Sequence, residues 1–264
     1  MPKRLAHWLL CATLLLPVLA DAATSTGPKT LFEAAAGAWG VGTIRLGKPL
    51  KFREGKVLAF PSQFADLLWA PVGKPRNLML VYEVPGSEAD KPFFGDKDEF
   101  FAPIRLLPEQ AYWRDNLPGT PRHDVAGGTR NVFRGEEIAE AKKALGPFLE
   151  ASGIKGKDGR SAEAAAVAAA LGSSVTRIRE DAGAWLAAAP NLGRILTEAA
   201  LASLATYLQG TAPAAERATL ITALAAAKIT GLKPAFEAVA AKEDAAGAAA
   251  LAALAALGET PPTP

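Results

Sequence analysis

Two spacings of apolar residues divide the chain. Between residues 39 and 133 apolar side chains come in short runs with every second position turned the same way, the mark of half-buried strands. Beyond residue 136 they recur every three or four positions, as on the buried stripe of a helix. The first region predicts strands at 39–46 (WGVGTIRL) and 50–52, then a turn at 53–56 (REGK) leading into a strand that begins at Val57 and Leu58. The run 76–84 (RNLMLVYEV) is the clearest strand, with Leu78, Leu80, Tyr82 and Val84 on one face and Pro85-Gly86 ending it. Residues 100–107 (FFAPIRLL) predict another, with Pro103 placing it at an edge or bulge. A last strand is expected at 129–133. Short strands of this number need mutual burial, so a small antiparallel barrel or sandwich follows.

In the second region Ile138, Ala141, Leu145, Phe148 and Leu149 open the helical spacing. Residues 153–159 (GIKGKDG) read as a flexible polar linker. Helices are then expected over 161–171, 174–188, 197–208, 214–227, 230–242 and 244–257, with Pro190 and Pro213 as punctuation. The proline-rich end, 259–264, reads as a disordered tail.

Composition sharpens this division. Residues 23–150 hold fifteen aromatics, whereas 151–264 hold only Trp185, Tyr207 and Phe236 and are rich in alanine. The predicted class is therefore α+β: a β-rich domain at 30–135, then an all-α array at 136–258. Lys3 and Arg4, an apolar run of about 16 residues and the small residues Ala20 and Ala22 form a secretory leader over 1–22, with cleavage expected after Ala22. That run is shorter than the ~20 residues of a membrane span. The expected product is periplasmic or secreted, touching membrane only through its leader. Cys11 leaves with the leader, so the mature chain has no disulfide and no thiolate ligand. The leader carries +1 of the chain's net charge of +2, and the near-neutral remainder argues against nucleic acid as partner.

A 38-residue offset lays residues 179–186 on 217–224, the spacing of stacked helix pairs. Residues 231–241 (GLKPAFEAVAA), 244–254 (DAAGAAALAAL) and 175–186 resemble helices of the HEAT-type repeat family, over about 100 residues in all. That family's regular Asp/Arg ladder between units is missing. The resemblance implies a binding or scaffolding surface rather than a reaction. Residues 41–58 (VGTIRLGKPLKFREGKVL) resemble small exported β-domains of the oligonucleotide/oligosaccharide-binding or netrin-like type.

No residue pattern completes a catalytic, cofactor or metal site. His123 is the only histidine outside the leader and lies in a polar segment, PRHDV, read as an exposed loop. Asp96, Asp98 and Glu99 do not complete a calcium loop, and Gly127-Gly128-Thr129 lacks the lysine of a phosphate loop. Arg177, Arg179 and Arg217 read as helix-surface charge. The candidate partner or ligand contacts are Phe93, Phe94, Phe100 and Phe101, as an aromatic patch, with Tyr112 and Trp113 as a stacking pair. The expected function is a non-enzymatic binding or scaffold protein of the bacterial envelope, acting on an envelope protein partner. Two alternatives stand beside it: a carboxylate-dependent hydrolase of envelope polymers using Glu83, Asp96, Asp98 and Glu99, and a small-ligand or oligosaccharide-binding barrel.

Overall fold

The computed structural model describes residues 30–70, 73, 77–88 and 91–258. The predicted leader and C-terminal tail lie outside the described residues. Six strands form one sheet: β1 (Gly40–Leu46), β2 (Leu50–Phe52), β3 (Val57–Trp69), β4 (Asn77–Glu83), β5 (Glu99–Leu106) and β6 (Arg122–Val125). Their order is β1-β5-β6-β4-β3-β2, and β1 also pairs with β3, so five strands close into a barrel with β2 hung on its edge. All neighbours are antiparallel except β4 and β6, which run parallel.

Closure depends on close backbone approach. A methyl group on Gly42 would lie 2.4 Å from the Asp66 carbonyl oxygen, so only glycine lets β1 reach β3 there. The pairing shifts register next to Gly42, a bulge that bends the strand around the barrel. β3 is long because it serves two neighbours: residues 57–63 pair with β4 and residues 62–69 with β1. Pro61 sits just before that handover, where the Gly47 amide bonds to its carbonyl.

Side-chain alternation fills the barrel with Ile44, Phe60, Leu80, Phe100 and Ile104, all buried. The opposite faces of β3 and β4 are covered by α2 (Ala111–Asn116), whose Trp113 packs on Val57, Ala59 and Val81. Three strand expectations need correction. β5 lies between β1 and β6 rather than at an edge. Pro103 is tolerated because alternate residues of β5 turn their backbone groups away from β1: Phe101 bonds both ways with Phe133, and the Pro103 carbonyl accepts from Ala126. Residues 129–131 form a 3-10 turn, not a strand. The last strand is instead Arg122–Val125, within the segment expected to be an exposed loop.

The helical part begins with α3 (Glu137–Ser152) and α4 (Gly156–Ala170). Residues 153–155 are a tight turn and 156–159 the first turn of α4, so the expected flexible linker is not there. α5 (Thr176–Ala188), the short α6 (Leu192–Ile195), α7 (Glu198–Gln209), α8 (Ala214–Ala226), α9 (Lys233–Ala240) and α10 (Ala245–Ala256) follow. α4, α7 and α9 form one row and α5, α8 and α10 a second. Arginines join the second row: Arg179 pairs with Glu216, and Arg217 with Asp244, the N-cap of α10. Arg217 is buried and also donates to the Leu208 and Ala212 carbonyls, which corrects its reading as surface charge.

One further helix, α1 (Leu31–Ala36), comes first in sequence but packs among α3 and α5. Asp181 of α5 accepts the Leu31 amide at 2.8 Å and an Arg130 N–H at 2.7 Å. A single apolar cluster runs from the outer barrel face, through Val41, Phe101 and Phe133, into the array as far as Leu254. Among the described residues, no helix is long and apolar enough to cross a membrane.

Candidate functional site: a cleft over a buried histidine

The cleft opens where β4 and β6 begin and β3 passes from one neighbour to the next. Its volume is about 650 Å³. Ser62 and Gln63 come from the handover in β3, Asn77 and Leu78 from the start of β4, Thr120 and Pro121 from the approach to β6, and Trp39 from the residue before β1. Arg45 stands at the rim, held by Glu99 through two N–H···O bonds of 2.8 and 3.0 Å. Among the described residues lining the cleft there is no carboxylate.

His123 lines it from β6 and is only 1% exposed. The alternation of β6 explains its position: His123 and Val125 share the inward parity, while Asp124 turns outward to pair with Arg105. The Trp39 ring lies against the imidazole, with centroids 4.2 Å apart and planes tilted by 45°. Neither ring nitrogen meets a partner in ordinary hydrogen-bond geometry among the described residues, the Met79 main chain lying near enough only to act weakly on the ring. Burial holds the His123 pKa below the ordinary histidine value, against smaller opposing effects of the Met79 main chain and the Asp124 charge. The ring is therefore neutral near pH 7, with one donor and one acceptor to offer. Unpaired buried polar groups are uncommon and costly, so this one marks the floor of the cleft as a place that gains from a polar guest.

Among the described lining residues no hydroxyl is hydrogen-bonded to His123: the Ser62 hydroxyl donates instead to the Phe60 carbonyl at 2.8 Å. The carboxylates of the hydrolase alternative are occupied elsewhere. Asp98 accepts from the Gly95 amide and Arg134, Glu99 from Arg45, and Asp96 and Glu83 are exposed away from this cleft. No group of three or more His, Cys, Asp or Glu residues suited to a metal occurs among the described residues.

The six expected contact residues do not form one exposed surface: Phe93, Phe94 and Phe100 touch in one ring cluster, and Tyr112 and Trp113 touch elsewhere. Phe94 and Phe100 are buried inside the barrel, and Phe101 is buried on its outer face toward the helices. Phe93 is half-buried beneath the Arg134 guanidinium, 4.3 Å away, so the four phenylalanines offer no exposed patch. Trp113 is core, and Tyr112 lies half-buried under Arg53 at 4.4 Å. Sequence reasoning missed Trp39 and His123. The available signal was the His-x-Val alternation at 123–125, short and set among charged residues.

No family model, no curated protein and no solved structure matches this chain.

Proposed function

We propose that this chain is an exported, non-enzymatic binding protein whose barrel takes a small, uncharged polar ligand in the cleft over His123, with the helical array as its support. The single observation that carries this reading is a histidine more than nine-tenths buried, with neither nitrogen in a regular hydrogen bond to a described residue, at the wall of a cleft of ligand size. The lining selects the ligand's charge. Among the described lining residues no carboxylate is there to favour a cation, and the guanidinium of Arg45 already has its partner in Glu99. Amides at Gln63 and Asn77, a hydroxyl at Thr120 and the indole of Trp39 suit a neutral molecule with a flat apolar face and groups that both donate and accept.

The strand order also supports the resemblance to the oligonucleotide/oligosaccharide-binding type. A five-stranded barrel containing one parallel pair is not an up-and-down barrel, and of the two substrates in that name the uncharged one fits this lining. Export rests on the basic and apolar pattern of residues 3–22.

The test is ligand-detected NMR with three panels of small molecules, neutral hydroxylated or amide-bearing, anionic and cationic, against the mature protein and a His123→Phe variant. Neutral compounds are expected to bind and to weaken at least about tenfold in the variant, the equivalent of one lost buried hydrogen bond. Preference for a charged panel, or neutral binding indifferent to the substitution, would sink the reading.

A further inference from the structure

A second concavity lies on the helical part, between the start of α4 and the turn joining α5 to α6, with a volume of about 890 Å³. Its apolar surface comes from Ile154, Pro190 and Ile195, and its charge from Lys157, Arg160 and Arg194, with no carboxylate among the described lining residues. Ile154 is 52% exposed, the highest value among the large apolar side chains described. Arg160 has a partner in Glu163 at 3.7 Å, whereas the side chains of Lys157 and Arg194 make no hydrogen bond or ion pair among the described residues. Two free cations beside an exposed branched side chain are an unusual pairing on a folded surface. A smaller hollow of about 280 Å³ continues past Arg160 and Pro190 to Glu33 and Glu163, so the groove is cationic at one end and acidic at the other.

We infer that this groove docks an extended segment of a partner protein that carries an aliphatic side chain flanked by acidic residues. Charge complementarity sets the acids against Lys157 and Arg194, and the aliphatic side chain covers Ile154 and Ile195. The chain direction follows from the groove's own polarity, with the acidic end of the segment kept from Glu33 and Glu163. A concave lining favours a peptide over an anionic membrane, because a bilayer plane meets ridges rather than hollows. This surface is separate from the barrel cleft and stands or falls without it.

The probe is a phage library of random twelve-residue peptides, selected on the whole mature protein, with an enriched peptide then synthesised and measured by fluorescence anisotropy. Enriched sequences are expected to hold two or more acidic residues around Leu, Ile or Val. The synthetic peptide should bind at least about tenfold more weakly to the Lys157→Glu/Arg194→Glu protein and to Ile154→Asp, and more weakly as salt is raised. All three side chains are exposed, and circular dichroism checks that the fold is kept. Failure to enrich any peptide, enrichment without acids, or binding unchanged in both variants would overturn the assignment. So would sedimentation of the protein with phosphatidylglycerol vesicles that depends on these residues, which would give the surface to lipid.

Discussion

At the scale of the residue, His123 combines a structural cost with a binding opportunity. Each buried polar atom without a partner costs about 1–3 kcal/mol. Phenylalanine is somewhat larger but has no polar atoms, and the ring borders open space, so His123→Phe should raise the stability of the ligand-free protein by about 1–3 kcal/mol in urea titrations while weakening ligand binding at least about tenfold. Its pH dependence has a definite sign. Burial depresses the folded-state pKa, so the unfolded chain takes up a proton at higher pH than the folded one does. The stability is fully present above the unfolded value of ~6.5 and is lost as pH falls toward the folded value. Unfolding curves between pH 7 and 5 should show this slope in the wild type and a flatter one in the variant. Asp181 behaves differently. Burial raises its pKa, while the Leu31 amide and Arg130 oppose that rise. Asn can still accept from Leu31, whereas Ala strands that buried amide, Arg130 keeping Glu180 at 3.6 Å. Asp181→Ala should therefore cost about 2–3 kcal/mol by urea denaturation, and Asp181→Asn clearly less.

Between elements, the array is joined by arginines as well as by small apolar residues. Arg217 reaches the last turn of α7 through Leu208, the loop at Ala212 and the N-cap of α10 through Asp244. Arg179 reaches Glu216 at the start of α8, which also accepts from Tyr207 at 3.1 Å. Burial beside that carboxylate pushes the Tyr207 pKa up to about 12, so the phenol stays a donor throughout the neutral range. Arg217→Ala should lower stability by about 2–4 kcal/mol, because it unpairs carbonyls and a capping carboxylate at once. Arg217→Lys keeps the charge but not the planar fork, and should recover only part of the loss. Thermal unfolding of the two variants separates these contributions. The pairs were hard to read from sequence because Arg179–Glu216 and Arg217–Asp244 join helices through spacings of 37 and 27 residues, not a constant one.

Across the whole molecule, the barrel and the array share apolar surface. α1 precedes the barrel in sequence yet supplies Leu31 and Phe32 to the helical core, and Phe32 meets Phe148 of α3 at 5.2 Å. Val41 and Phe101 face the same cluster from the barrel wall. A fragment covering residues 30–135 would uncover these side chains together. It should fail to give a dispersed NMR spectrum or a monomeric elution volume, whereas residues 23–264 should unfold in one transition followed by both tryptophan fluorescence and helical circular dichroism. A folded, monomeric barrel fragment would show that the shared cluster is not required.

The sequence by itself determined the first five strands and the longer helices of the array, in order, but not α1, α2, α6 or β6. Strand alternation at Leu78, Leu80 and Tyr82 and helical spacing from Ile138 onward are local periodicities, written directly into neighbouring residues. Caps were less legible: Thr197 and Asp244 each accept a backbone N–H three residues on, which the apolar spacing alone did not single out. Tertiary structure alone decided which strands met and what the cleft contained. Whether Pro103 stood at an edge, whether 122–125 joined the sheet, and whether His123 faced water or Trp39 all depended on long-range pairing, and a four-residue strand in a polar segment carries no periodicity strong enough to foretell its partners. A barrel interior accepts a histidine only because closure brings Trp39, from more than eighty positions away in the chain, against its ring.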